Sequence, residues 1–232
     1  MKTIGLIGGM SWESTAVYYR LLNQMARERL GGLHSAQLLL WSFDFAQIEA
    51  LQAAGDWAAA TEAMVAAARR LERGGADGLV ICTNTMHKMA GEVQAAVSIP
   101  LIHIGDATAR AIHEAGARKP LLLATRYTME QDFYKGFLRD RHGIDVAVPD
   151  EAGRTVVHDI IYNELCQGVV KPESKRAYLD VIARAQSDGI DGVIFGCTEV
   201  GLLLSPQDLD LPAFDTTALH ARAALDFALS GD

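Results

Sequence analysis

One pattern is written twice in this chain, and it restricts the possible folds more than any other feature. Gly75-Ala76-Asp77-Gly78-Leu79-Val80-Ile81-Cys82-Thr83-Asn84 aligns without a gap on Gly189-Ile190-Asp191-Gly192-Val193-Ile194-Phe195-Gly196-Cys197-Thr198. In each copy a glycine-acid-glycine turn feeds an uninterrupted apolar run, the signature of a strand buried on both faces. Each copy also leads into a second short segment opened by a proline, Pro100–Ile104 and Pro212–Asp215. The copies lie about half the chain apart, too far for a solenoid and suited to two similar lobes. In this register Cys197 pairs with Thr83, and Cys82 pairs with Gly196. Side chains alternate along a strand, so Cys82 and Thr83 are expected on opposite faces.

The remaining segments fit the same plan. Thr3–Ile7 reads as a strand that turns at Gly8-Gly9-Met10 into a helix capped by Ser11 or Ser14 and ended by Gly31-Gly32. Ala36–Trp41 reads as a strand, with helices over Ala46–Ala53, Trp57–Arg73 and Thr85–Val97. Pro100–Ile104 is expected as a fourth strand before a helix over Asp106–Ala115. Pro120–Ala124 restarts the series, its turn Thr125–Thr128 taken as the counterpart of Gly8–Ser11. Helices follow over Met129–Arg139, Gly153–Gln167 and Pro172–Ser187, with a strand at Ile144–Val148, and Thr216–Leu229 closes the chain as a helix. Such alternation predicts an α/β protein of two pseudo-symmetric lobes, each a parallel sheet flanked by helices. The expected lobes are residues 1–105, with 216–232 packing back on them, and 106–215. Ligands of parallel sheets bind outside the carboxyl ends of strands. The turns at Gly8–Ser14, Thr83–His87, Thr125–Thr128 and Cys197–Glu199 are therefore expected to line one cleft between the lobes.

Composition removes several classes of function. The net charge of −8, without a basic run, argues against a nucleic-acid partner. No apolar run approaches the length of a membrane span and no signal-peptide pattern is present, so a cytoplasmic protein is expected. The three cysteines, Cys82, Cys166 and Cys197, form no Cys-x-x-Cys pair, which argues against disulfides and structural zinc and fits a reducing compartment. Cys166 reads as a small, half-buried helical residue. Gly5–Gly9 after the first strand, with Asp44 further on, invites a dinucleotide reading, but neither G-x-G-x-x-G nor a P-loop can be fitted. Cys82 and His87 alone are too few to hold a metal, so none is expected. His87 is either an acid/base group or a capping residue at the start of a helix.

Cys197 stands where the apolar run ends, followed at once by Thr198 and Glu199, residues suited to the first turn of a helix. Thiols at helix starts are lowered from about 8.5 into a range of roughly 3.5–7.5, so Cys197 is expected to be a reactive thiolate. Acid/base groups on opposite faces of one carbon would serve 1,1-proton transfer, with Cys197 on one side and the Thr83 turn on the other.

Four motifs together, Gly8-Gly9-Met10-Ser11-Trp12-Glu13-Ser14, Cys82-Thr83-Asn84-Thr85-Met86-His87, Ala124-Thr125-Arg126-Tyr127-Thr128 and Gly196-Cys197-Thr198-Glu199, resemble the aspartate/glutamate racemase family, in particular its broad-specificity amino acid racemases. They span nearly the whole chain. The resemblance implies an enzyme that racemises an amino acid without a cofactor, acting between two lobes and usually as a homodimer. It implies substrate-binding roles for Met10, Asn84, Thr85, Thr125, Thr128, Thr198 and Glu199, and catalytic positions at Cys197 and Thr83. The family's first motif is Cys-Asn-Thr; here it reads Thr83-Asn84-Thr85, so one catalytic cysteine is replaced. Cys82 could take its place only if the strand were bulged. Gln47 in a loop and Cys166 in a later helix stand where the resemblance leads one to expect a basic pair for an acidic side chain, so a neutral or longer substrate is expected to be accepted. The rival expectations are a one-cysteine decarboxylase or isomerase of the arylmalonate type, and a non-catalytic small-molecule binding protein.

Overall fold

The computed structural model describes residues 1–231, and the chain divides into two compact units. Among the described residues the first comprises 1–103 and 220–231, the second 104–219, so the boundary falls inside the last helix. The first unit contains β1 (Ile4–Gly8), α1 (Trp12–Leu30), β2 (Leu38–Ser42), α2 (Phe45–Ala54), α3 (Trp57–Arg73), β3 (Gly78–Ile81), a 3-10 turn (Thr85–Met89) and α4 (Ala90–Ala95). The second contains α5 (Ile104–Glu114), β4 (Pro120–Leu123), α6 (Arg126–Glu130), α7 (Asp132–His142), α8 (Glu151–Asn163), a 3-10 turn (Leu165–Gln167), α9 (Pro172–Gln186), β5 (Gly192–Phe195), α10 (Val200–Leu203) and β6 (Ala213–Asp215). The closing helix α11 (Thr216–Leu229) begins in the second unit and ends in the first.

Each unit has a parallel three-stranded sheet, ordered β2-β1-β3 in the first and β4-β5-β6 in the second. The sequence repeat reappears as register. Ile4 pairs with Gly78 as Pro120 pairs with Gly192, and Leu79 meets Leu101 as Val193 meets Ala213. The two acids of the repeat do one job. Asp77 accepts the Thr3 N–H at 2.6 Å, and Asp191 accepts the Arg118 and Lys119 N–H groups at 2.6 and 2.8 Å, each tying down the start of the neighbouring strand. This register makes Thr125 the counterpart of Gly9, one residue along from the expected pairing with Gly8.

Two expected strands shrink to single bridges. Around Leu101 and Ala147 the chain pairs with one neighbour only, Leu79 and Leu121 respectively. Pro100 and Pro149 lack the N–H that a ladder needs, and Ile104 already belongs to the buried start of α5. The helix expected over Thr85–Val97 is broken at Met89, that over Met129–Arg139 at the extended Gln131, and that over Gly153–Gln167 at Glu164. Cys166 therefore sits on a 3-10 turn rather than in a helix, while Gln47 lies exposed in the first turn of α2 rather than in a loop.

Alternation along the strands divides the first unit's core. Ile4, Leu6, Val80 and Cys82 pack with Tyr18, Leu22 and Ala26 of α1 and Ala221, Ala224, Leu225 and Ala228 of α11. Ile7, Leu79 and Ile81 face the other way, onto Met64, Ala67, Ala68 and Leu71 of α3, whose alanines allow close approach to the sheet. The second unit has one continuous core around Leu121–Ala124 and Val193–Phe195.

Candidate active site

The candidate residues lie just past the carboxyl ends of β1, β3, β4 and β5, and the local sequence explains why. After β1, Gly9 has φ 80°, and a side chain there would collide with the backbone of Phe43, so glycine alone fits the turn. Ser11 caps α1 by accepting the Ser14 N–H at 3.3 Å, and Met10 is buried in the core beside Ile7 and Met86. Past β3, Cys82 is fully buried and belongs to the α1/α11 side of the core. Burial pushes its thiol far above the ordinary range. Thr83, the next residue, is half-buried, and Asn84, Thr85 and His87 behind it are buried. The Ser14 hydroxyl donates to the Cys82 carbonyl at 3.0 Å, and His87 Nδ1 lies 2.8 Å from the Thr83 carbonyl oxygen.

In the second unit Gly196 holds the place of Cys82 because nothing larger fits: an added Cβ would lie 2.5 Å from Leu122 and 2.9 Å from Ala124. Cys197 follows, half-buried, and its Sγ–H donates to Glu199 Oε2 at 2.9 Å. The expected low thiol pKa is overturned. Burial, the Glu199 charge and then nearby Cys166 push Cys197 well above its ordinary value, and one backbone N–H from Glu199 does not offset them. The helix that was expected to supply a dipole is α10, only 4 residues long, with Glu199 at its start. The contact with the Glu199 side chain and the burial together favour the protonated thiol over a free thiolate.

Thr198 and Glu199 are buried, as are Thr125 and Thr128, whose hydroxyls meet at 3.2 Å. The adjoining backbone is held by Arg126, whose N–H donates to His158 Nδ1 at 3.2 Å and whose guanidinium reaches Thr155 and Glu130. Tyr178 of α9 was not singled out from the sequence. Buried and donating to the Val157 carbonyl at 3.1 Å, it is held well above its ordinary pKa by burial and then by Cys197, Cys166 and Glu199. In the sequence it is one apolar position of an amphipathic helix, and no local signal marks it. Within each unit, then, the structure brings Cys197 together with Glu199, Thr125 with Thr128, and Thr83 with His87. Among the described residues no group of three or more His, Cys, Asp or Glu could hold a metal ion, and no helix is long and apolar enough to cross a membrane.

Comparison with known proteins identifies the family. The model of the Asp/Glu/Hydantoin racemase family matches residues 7–224. A candidate Asp/Glu racemase from Yersinia pestis is 53% identical, covers 99% of this chain and 100% of its own, and superposes with a TM-score of 0.93. An aspartate racemase homologue from Pyrococcus horikoshii OT3 is 35% identical over 98% of this chain and 99% of its own, with a TM-score of 0.86. The broad specificity amino-acid racemase RacX of Bacillus subtilis (strain 168) is 26% identical over 172 residues, 73% of this chain and 72% of that protein. Matched by the family's model over nearly its whole length and 53% and 35% identical to two such proteins over nearly all of each chain, the chain belongs to the Asp/Glu/hydantoin racemase family.

Proposed function

We propose that this protein is a cofactor-independent amino acid racemase in which Cys197 removes the Cα proton of the L-amino acid. The observation that carries the reading is the Cys197–Glu199 hydrogen bond at the carboxyl end of β5, in a chain of a racemase family. The thiol must lose its proton before it can act as a base, and Glu199 is the acceptor already in contact with it. Its proton passes to the Glu199 carboxylate, and the thiolate takes the Cα proton, leaving a carbanion stabilised by the substrate carboxylate. Thr83, or a water held by it, returns a proton to the opposite face and recovers one from solvent, while Glu199 releases the proton it took to solvent, so the cycle closes. Asn84, Thr85, Thr125, Thr128 and Thr198 supply donors and acceptors for the substrate carboxylate and amine, and Met10 is carried over from the family resemblance as a substrate-binding residue. Threonine does not titrate in water, so Thr83 is the weaker partner. The reading therefore makes proton loss from the D-enantiomer the slower half-reaction. Gln47 and Cys166 carry no charge that would demand an acidic substrate, which supports acceptance of neutral or longer side chains.

The test is a panel of L-amino acids in deuterated water, followed for Cα exchange and D-product. Cys197→Ala should abolish both while costing at most about 1–2 kcal/mol of stability, since a turn thiol is a small packing element. Exchange that survives in a folded C197A protein refutes the mechanism. The presence of Thr83 where a second thiol would stand also favours one rival, a one-cysteine decarboxylase. Carbon dioxide release from an aryl- or alkylmalonate, with no exchange of any amino acid, would establish that reading instead.

A further inference from the structure

Four chain segments converge beneath Thr83, all within the first unit. The Thr83 carbonyl is 2.8 Å from His87 Nδ1, and a carbonyl oxygen only accepts, so Nδ1 carries the proton. Residue 87 reaches back to residue 83 because the 3-10 turn Thr85–Met89 begins at once, with the His87 N–H on the Asn84 carbonyl at 3.0 Å. The His87 ring meets the edge of His103 at 4.7 Å and of His220 at 5.5 Å. His220 is itself fixed in one tautomer. Its Nε2–H donates to the Ile102 carbonyl at 2.7 Å, so Nδ1 must accept the Tyr18 hydroxyl at 2.8 Å. One residue earlier, Ser14 holds the Cys82 carbonyl. Two successive carbonyls past the last ladder pair of β3 are thus gripped by side chains from α1 and the 3-10 turn.

The ring contacts suit a neutral His87 and a neutral His220, since a proton on either would face a neighbouring ring. Burial, then His103 and His220, hold His87 well below its ordinary pKa, and burial takes His220 down to about 4. Metal binding is a poor account of the cluster, because no three of these groups are placed as a ligand set among the described residues.

Resting on the racemase reading, we infer that His87 is a positioning residue for Thr83: its Nδ1–H holds the Thr83 carbonyl, and the edge contacts with His103 and with the Tyr18-bonded His220 hold His87, so that the Thr83 hydroxyl keeps its aim. His87 does not exchange a proton with the substrate. Its loss therefore damages the Thr83 half of the reaction and largely spares proton removal by Cys197.

The experiment compares His87→Leu and His87→Met, which lack the donor, with His87→Asn, whose amide N–H can replace Nδ1–H. Cα exchange of the L-substrate and formation of D-product are measured on the same samples. Misplacing a reacting group is worth on the order of ten- to a hundred-fold, so the ratio of racemisation to exchange should fall by about that factor in the donorless variants and recover in H87N. A general structural defect would lower both reactions in proportion, and that result, or an unchanged ratio, overturns the inference. If neither donorless variant folds, nitrogen-15 spectra of the wild-type histidines decide: a neutral imidazole protonated at Nδ1 is expected, and its absence overturns the assignment. A wild-type protein that neither exchanges nor racemises any amino acid overturns the racemase reading itself, and the positioning role with it.

Discussion

Replacing Glu199 by Gln removes one charge while keeping the shape of the group that accepts the Cys197 proton. Cys197 Sγ and Glu199 Oε2 are 2.9 Å apart, and the carboxylate is buried. Two unit charges about 4 Å apart interact by about 4 kcal/mol at an effective dielectric near 20. That charge holds the proton on the thiol and raises its pKa, second only to burial. Cys197 retains some accessible surface, so solvent screening reduces the effect, and the thiol pKa is expected to fall in E199Q while burial still holds it up. The assay is the rate of iodoacetamide alkylation at Cys197 against pH, read by peptide mass spectrometry so that Cys166 is counted separately. Buried Cys82 should not react. The E199Q thiol should alkylate faster near neutral pH, yet Cα exchange should fall, because the thiolate is a weaker base and its proton acceptor is gone. Reactivity and turnover thus move in opposite directions. An alkylation profile that stays put or moves to higher pH would refute the electrostatic argument, and E199Q exchange at or above wild type would refute the role of Glu199.

Thr83→Cys should raise racemisation from the D-enantiomer by supplying a titratable group, whereas Cys82→Ala should leave exchange intact and lower stability by about 1–2 kcal/mol through lost core packing; enantiomer-resolved initial rates and thermal melts check both, and activity lost in a folded C82A protein would make Cys82 the second base. His220 is neutral in the fold, with a pKa of about 4 against about 6.5 when unfolded. The unfolded chain therefore binds more protons between these values, and stability present above pH 6.5 is lost as pH falls toward 4, by on the order of 3 kcal/mol. Melting temperatures from pH 7.5 to 4.5 should show this acid limb, to which buried His87 also contributes, and His220→Gln should make it smaller; a limb unchanged in H220Q argues against the assignment.

The sequence by itself determined the α/β class, the repeat and the pairing of Cys197 with Thr83. These follow from near-neighbour rules: apolar runs of strand length, glycine turns, serine caps and a side-chain period of two. They also predict that Cys82 and Thr83 point apart, and the core around Ile4, Leu6, Val80 and Cys82 shows the alternation as far as Cys82. Tertiary structure decided what each group meets. A carboxylate two residues from a thiol can stabilise a helix start or raise the thiol's pKa, and here α10 is too short for the first and Glu199 folds back for the second. The Leu101 and Ala147 segments carry strand-like sequences, yet each pairs at one position, because edge pairing depends on what the neighbouring chain leaves open. His87, His103 and His220 are scattered singly along the chain, and nothing local links the last to Thr83. They become one cluster because α11 packs on the same sheet face as α1, bringing His220 to Tyr18 and the ring stack to the strand end that carries Thr83.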